Sequence, residues 1–184
     1  MSIILNKLSF LTTFYLYLEL YIRQAMVEIL DVLQNKKILA EIILADKVQL
    51  PLKKHGWNFN WRQISKHANT TTYVLRLLET PQTVEGVLQV KIEGDMFIMD
   101  LIEIAPHNIG SNKTYELVAE CLISFACRES FKIEGDYKGF LTFVSKTDLI
   151  EWYISKYGAI QAMGQRMYIT PEKGLELINK YLTI

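Results

Sequence analysis

The chain has 184 residues, with 20 Lys and Arg against 20 Asp and Glu, so its formal net charge is zero, and half of its residues are apolar. This length suits one domain with a hydrophobic core, and the composition excludes an intrinsically disordered chain. A balanced charge also removes the general electrostatic attraction to a phosphate backbone. We therefore expect no nucleic-acid partner.

The cysteines and histidines indicate neither a disulfide framework nor a metal site. Cys121 and Cys127 lie six residues apart in a predicted helix, about 600° around its axis, so their side chains diverge and we expect reduced, buried thiols. The three histidines, His55, His67 and His107, have no metal-ligand spacing. The expected protein has no metal and resides in the cytoplasm, and the sequence leaves a homodimer open.

The first 25 residues form a separate apolar stretch. Its longest run without a charge, residues 8–18, is shorter than the ~20 residues of a membrane span, so we do not expect a membrane protein. Three interpretations stay open: an extra helix docked on the domain, a true start at Met26, or an amphipathic anchor at a membrane surface. Residues 26–184 are predicted to form a single domain.

The first elements predicted along the chain are strands, a loop and a short helix. Residues 84–92 alternate between apolar and polar side chains, as expected of a half-buried strand, and Glu93-Gly94-Asp95 predicts a hairpin to the apolar run Met96–Ile104. Because Asp100 and Glu103 are three residues apart in that run, a regular strand would place them on opposite faces. The other predicted elements here are a strand at 37–45, a loop at 46–60, a helix at 61–67 and a strand at 73–78.

The second half alternates between helices and strands. A stripe of polar residues every three or four positions predicts a helix over 113–128, buried on three sides. A strand at 138–144, a helix capped by Ser145, a strand at 166–170 and a helix starting at Thr170-Pro171-Glu172 follow. This order predicts an α+β fold: a mixed, mostly antiparallel central sheet with helices on both faces.

The junction between Met96–Ile104 and the next helix is polar and contains Gly110, Ser111, Asn112 and Lys113. Backbone N–H groups at a helix N-terminus suit an anion such as a phosphate, although a merely capped loop fits the same residues.

Several segments resemble the GNAT superfamily of acyl-CoA-dependent N-acetyltransferases, over residues 73–169. Ile104-Ala105-Pro106 resembles the V-x-P that ends the family's central strand, Gly110 stands where its first loop glycine is found, and Leu149 to Ala159 resembles its lYxxxGF segment. The second loop glycine is replaced by Asn112, the loop is about five residues longer, and the final helix takes the place of a customary last strand.

The resemblance implies acetyl transfer from acetyl-CoA, as co-substrate, to an amine acceptor. Backbone N–H groups at Ile104 and Ala105 would polarise the thioester carbonyl, and Tyr153 would protonate the departing thiolate. Gly110, Ser111 and Asn112 would contact the CoA phosphates, and Lys113 is our addition to that set. For the base we select Glu103 at the end of the central strand.

The segment from Gly56 to Arg62 places Trp57, Phe59 and Trp61 at every second position. These aromatic side chains could line an acceptor pocket or pack in the core. A non-catalytic GNAT-like binding module is the alternative to the enzyme, because the glycine loop is incomplete.

Overall fold

The computed structural model of the chain describes residues 25–45 and 50–182. The predicted N-terminal extension, apart from Ala25, lies outside the described residues. Among those described, no helix has the length and apolar character needed to cross a membrane.

The sheet begins with a hairpin that the sequence analysis did not assign. β1 (Ala25–Asp31) pairs antiparallel with β2 (Lys36–Leu44). Val27 and Ile29 are buried while Met26 is exposed, which is the alternation of a half-covered strand. The Asp31 carboxylate accepts a hydrogen bond from the Gln34 N–H and closes the turn.

Within the described residues, nine strands form one sheet in the order β6-β1-β2-β3-β4-β5-β7-β9-β8. Among these nine described strands, only the β5–β7 pair is parallel. The predicted mixed, mostly antiparallel sheet is therefore confirmed. The remaining strands are β3 (Thr70–Leu77), β4 (Val84–Glu93), β5 (Met96–Ile104), β6 (Tyr115–Glu116), β7 (Leu141–Val144), β8 (Ile160–Gln161) and β9 (Arg166–Ile169).

Helical segments cover both faces of the sheet, as predicted. The long helices share the main core cluster with the face that carries Leu88, Phe97 and Met99, and Trp57 and Trp61 pack on the opposite face. This second cover reaches β3, β4 and the end of β5, and it leaves the opposite face of β7 and β9 open. The helices are α1 (Trp61–Ile64), α2 (Val118–Ser130), α3 (Ile150–Tyr157) and α4 (Pro171–Tyr181).

Three features predicted for the second half of the chain differ in the structure. Helix α2 begins at Val118 rather than at 113, because Tyr115–Glu116 pairs with β1 and Leu117 takes a left-handed conformation, φ 72°. Ser145 caps no helix; its hydroxyl donates to the carbonyl of Lys146. Strands β8 and β9 pair at this edge of the sheet before helix α4 begins, so the helix does not take the place of a strand.

A β-bulge in β5 changes which side chains share a face. Gln89 of β4 is opposite Leu101, but the next residue, Val90, is opposite Met99, so Asp100 is an extra residue without a partner in β4. Past the bulge the alternation is reversed, and Glu103 lies on the same face as Asp100. The expectation that the two carboxylates face opposite ways is therefore wrong.

Candidate acyl-transfer site

The two parallel strands in the middle of the sheet separate from each other. β5 and β7 pair only over Phe97–Met99 and Leu141–Phe143, although β5 continues to Ile104. Past Met99, the β7-side edge of β5 has no strand partner among the described residues. We call the place where the two strands stop pairing the cleft, and this edge of β5 borders it.

The direction of the backbone N–H groups decides which residues serve this cleft. The Ala105 N–H donates to the Glu85 carbonyl across β4, at 2.8 Å. Because N–H groups alternate along a strand, those of Ile102 and Ile104 point the other way, into the cleft. The predicted donor pair is thus corrected: Ile104 faces the cleft, whereas the N–H of Ala105 is already used.

Tyr153 lies at the point where the cleft opens. It belongs to α3, and its ring packs 4.7 Å from that of Phe143, which is in the last β5–β7 residue pair. Burial raises the pKa of its phenol, so the hydroxyl stays protonated at neutral pH. One turn later, the hydroxyl of Tyr157 is buried and has no hydrogen-bond partner among the described residues. Helix α3 therefore carries two tyrosines near the cleft, and Tyr153 is the one that we assign to it, because its ring packs on Phe143.

The N-terminus of α2 lies beyond the far end of β5 along the chain. Its first intrahelical bond runs from the Cys121 N–H to the Leu117 carbonyl, so the preceding amides have no partner within the helix. Glu120 in the first turn is nearly buried and forms an ion pair with Lys156 of α3 at 2.6 Å. This contact ties α3, which carries Tyr153, to the start of α2.

The predicted phosphate residues occupy a separate, exposed turn. Gly110, Ser111 and Asn112 are exposed, and the Lys113 ammonium pairs with Glu116 at 2.8 Å. The Thr114 N–H donates to the His107 carbonyl, which closes this turn several residues before α2 begins. We expected these residues at the start of the helix, but in the structure they precede α2 and do not belong to it.

Beneath this turn, a polar cluster holds the loop against the sheet. The Glu85 carboxylate is buried and contacts His107 Nε2 at 2.7 Å and Asn108 Nδ2 at 2.8 Å. The Asn108 side-chain oxygen then accepts from the Tyr115 N–H, at 3.0 Å. These contacts hold the loop that follows Pro106, and no residue spacing in the sequence indicates them.

Glu103, which we selected as base, is bound on all sides. Its carboxylate accepts hydrogen bonds from Asn58 N at 2.5 Å, Asn58 Nδ2 at 3.0 Å, Phe59 N at 3.3 Å and Trp61 Nε1 at 2.7 Å. A carboxylate has about four lone-pair positions, so these donors occupy them. The geometry makes Glu103 an anchor for the aromatic segment and leaves no lone pair free to accept a proton from an amine. Trp57 and Trp61 are buried in the core, as the packing interpretation of this segment expected.

Asp100, at the bulge, is the carboxylate that faces open space. It lines a cavity of about 630 Å³ on the uncovered face of β5, β7 and β9, and it pairs with Lys91 at 2.9 Å. From the sequence we preferred Glu103 as the base and expected Asp100 to lie deeper and to face away. Asp100 is therefore the more open of the two acids, and Glu103 is the buried one.

The described residues contain no group of three His, Cys, Asp or Glu side chains placed to hold a metal ion. Both cysteines are buried as free thiols. Desolvation raises the pKa of each to about 12, so neither is a ready nucleophile.

Comparisons with known proteins give similarity in structure alone. No protein-family model matches the chain, and no curated protein sequence matches it significantly. Among solved structures, a KacTA–DNA complex aligns with a TM-score of 0.55 and 14% identity, over 77% of this chain and 99% of the other. AtaTR bound with acetyl-CoA aligns with a TM-score of 0.53 and 10% identity, over 76% and 98%.

A mutant form of the spermidine/spermine N-acetyltransferase SpeG from Vibrio cholerae also aligns, with 15% identity and a TM-score of 0.46, over 63% of this chain and 73% of that one. The fold assignment rests on the first two structures. At these identities the comparisons bear on the fold, and they confirm the resemblance at that level. The chain has a GNAT-type fold.

Proposed function

We propose that this protein is an acetyl-CoA-dependent N-acetyltransferase. The observation that carries the proposal is the cleft between β5 and β7, into which the N–H groups of Ile102 and Ile104 point. Extended amide-bearing chains bind well along such an unpaired strand edge, because backbone groups supply the hydrogen bonds. The acetyl thioester would supply the activated acyl group, and the pantetheine arm would lie along this edge.

The residues around the cleft support each requirement of acyl transfer. The acceptor nitrogen forms a bond to the thioester carbonyl carbon, the C–S bond breaks, and the sulfur takes a proton. Tyr153 is the proposed donor of that proton, since burial keeps its phenol protonated beside Phe143. Asp100 is the proposed acceptor of the amine proton, since its carboxylate lines the open cavity. We no longer assign this role to Glu103.

The phosphates of CoA are proposed to lie at the start of α2. The first amides of α2, which have no partner within the helix, would donate to the phosphates, and Lys113, in the preceding turn and paired with Glu116, would add a cation. We retain Ser111 and Asn112 as polar contacts of the adenosine diphosphate, since their turn is exposed.

Binding can be tested on individual amides of β5. In a ¹⁵N-resolved titration with acetyl-CoA, we expect the Ile102 and Ile104 amides to shift and to exchange more slowly with solvent. The amide of Ala105 is the matched control on the same strand, because it donates to Glu85 and should change much less. No shift at millimolar acetyl-CoA, or equal shifts at all three amides, would contradict the proposed binding mode.

The chemical roles can be tested with a matched pair of tyrosine variants. With a panel of primary amines as acceptors, we expect Tyr153→Phe to lower kcat by roughly 10²-fold, the usual contribution of one general acid. Tyr157→Phe, one turn away on the same helix, should retain the parental rate. Asp100→Asn should lower kcat/KM by a similar factor. Equal rates for the two phenylalanine variants would refute the assignment of Tyr153.

A non-catalytic binding module is the second candidate, favoured by one feature of α2. Leu117 takes the positive φ that a loop glycine would adopt more easily, and Glu116 and Glu120 place two carboxylates near the proposed phosphate site. Failure of acetyl-CoA to bind at all would favour this candidate over the enzyme.

We further propose a cytoplasmic protein, since both cysteines are free thiols in a single domain of residues 26–184. The partners we propose are an acyl-CoA and an amine, with a homodimer allowed. One similar structure is a complex with DNA. The zero net charge of this chain gives no electrostatic reason to transfer that partner.

A further inference from the structure

The cavity on the uncovered face has an apolar floor with charges at its two ends. Lys91, Ile98, Thr142 and Tyr168 follow one another across β4, β5, β7 and β9, because each is paired with the next in the sheet register. The cavity is bounded by aromatic rings, with Phe140 6.1 Å from Tyr168 at the ring centroids. A ligand with a flat apolar face fits on this row of side chains.

One end of the cavity carries a net negative charge. The Lys91 ammonium pairs with Glu93 at 2.8 Å and with Asp100 at 2.9 Å, so two carboxylates share one cation. The side chains of both Lys91 and Asp100 are about a quarter exposed, which leaves the Asp100 carboxylate accessible from the cavity. A cationic amino group is attracted to this end.

The other end carries Arg166. It lies on β9, directly opposite Val144, and it lines the same cavity. Its guanidinium is exposed and belongs to no ion pair found among residues 25–45 and 50–182. Asp100 and Arg166 are two strand spacings apart, and β5 separates from β7 past Met99, so their backbones are at least about 10 Å apart.

We propose that the acceptor is an amine that also carries an acidic group, with an apolar or aromatic body between the two. This inference rests on the proposed function, because Asp100 is placed there as the group that receives the amine proton. The amino group lies at the Asp100 end, beside the cleft, and the acidic group pairs with the Arg166 guanidinium. The body lies over Val144, beside Ile98 and Thr142 of the neighbouring row.

Two probe amines of the same shape test this acceptor class. 4-(Aminomethyl)benzoate carries the distant carboxylate, whereas 4-methylbenzylamine has the same ring and amino group without it. We expect kcat/KM to favour the acid by roughly tenfold to a hundredfold, the usual range for one charged hydrogen bond. Arg166→Gln should abolish this preference, mostly through KM, and Arg166→Glu should reverse it. Arg62→Gln removes an exposed arginine that does not line the cavity, and it should retain the preference.

A binding measurement without acetyl-CoA separates this inference from the proposed function. When 4-(aminomethyl)benzoate is titrated alone, the amides of Ile98 and Thr142 should shift in the parent protein and not in Arg166→Gln. If these shifts occur but acetyl-CoA does not bind, the enzyme proposal fails and the cavity ligand stands. If acetyl-CoA binds but both probes react equally, or the preference survives Arg166→Gln, the proposed acceptor class is wrong.

Discussion

The hydrogen bonds of Glu103 predict a large loss of stability when its carboxylate becomes an amide. In Glu103→Gln, one oxygen that now accepts two hydrogen bonds is replaced by an NH₂ group, which must face N–H donors. The variant also loses the negative charge that strengthens the bonds from Asn58 and Trp61. Charged hydrogen bonds contribute ~1.5–3 kcal/mol each, and the remaining oxygen keeps some of them. We expect the free energy of unfolding to fall by about 2–4 kcal/mol.

Urea denaturation followed by two signals measures this loss and locates it. Trp57 and Trp61 lie in the anchored segment, so fluorescence reports this segment more directly than far-UV circular dichroism does. We expect the midpoint to fall in both signals, with fluorescence changing first if the segment detaches before the sheet unfolds. Glu151→Gln is the control, because Glu151 is exposed and such surface changes stay within about 0.5 kcal/mol. A loss no larger than that of the control would refute the anchoring role of Glu103.

Two further predictions concern the packing of α2 and the alkaline limit of stability. Gly86→Ala should destabilise the protein by about 1–3 kcal/mol in the same denaturation assay, because its Cβ would lie 2.7 Å from Leu122 Cδ1 and 2.8 Å from Val118 Cγ1; an unchanged midpoint would contradict this close contact. The folded state raises the pKa of Cys121 and Cys127 from 9.0 to about 12, so it holds its thiol protons where the unfolded chain releases them. The free energy of unfolding should therefore fall as pH rises from 9 towards 10, by at most ~1.4 kcal/mol per pH unit and thiol, and the slope should be smaller in the double alanine variant, in which only groups such as Tyr153 and Tyr157 still contribute.

The extent to which the sequence predicted the fold depended on how local the signal was. The strand Met96–Ile104 was predicted with its observed bounds, because a hairpin turn precedes it and Pro106 follows. The cap of α4 was also predicted: the Thr170 hydroxyl accepts from the Lys173 N–H, at 3.3 Å. Both depend on residues a few positions apart, where turn and cap chemistry acts.

The start of α2 could not be predicted for the opposite reason. The polar stripe over 113–128 is compatible with a helix throughout, but residues 115 and 116 pair with β1, more than 80 positions away in the sequence. A strand partner at that separation leaves no local signal, and a left-handed Leu117 is not a residue that sequence rules place before a helix. For this reason the candidate phosphate residues lie in a turn before the helix N-terminus and not at it.

The bulge at Asp100 accounts for the main change in the site. In a regular strand, Asp100 and Glu103 would face opposite sides, so one of the two would point towards the apolar cluster under α2. The extra residue reverses the alternation, so both acids lie on the face opposite α2. There Glu103 meets the donors of the 58–61 segment, and Asp100 faces the cavity. The bulge also falls directly after Met99, the last residue that pairs with β7. The inserted residue, Asp100, thus lies where the cleft begins. Of the two acids, it is the one whose carboxylate is accessible from the proposed acceptor side.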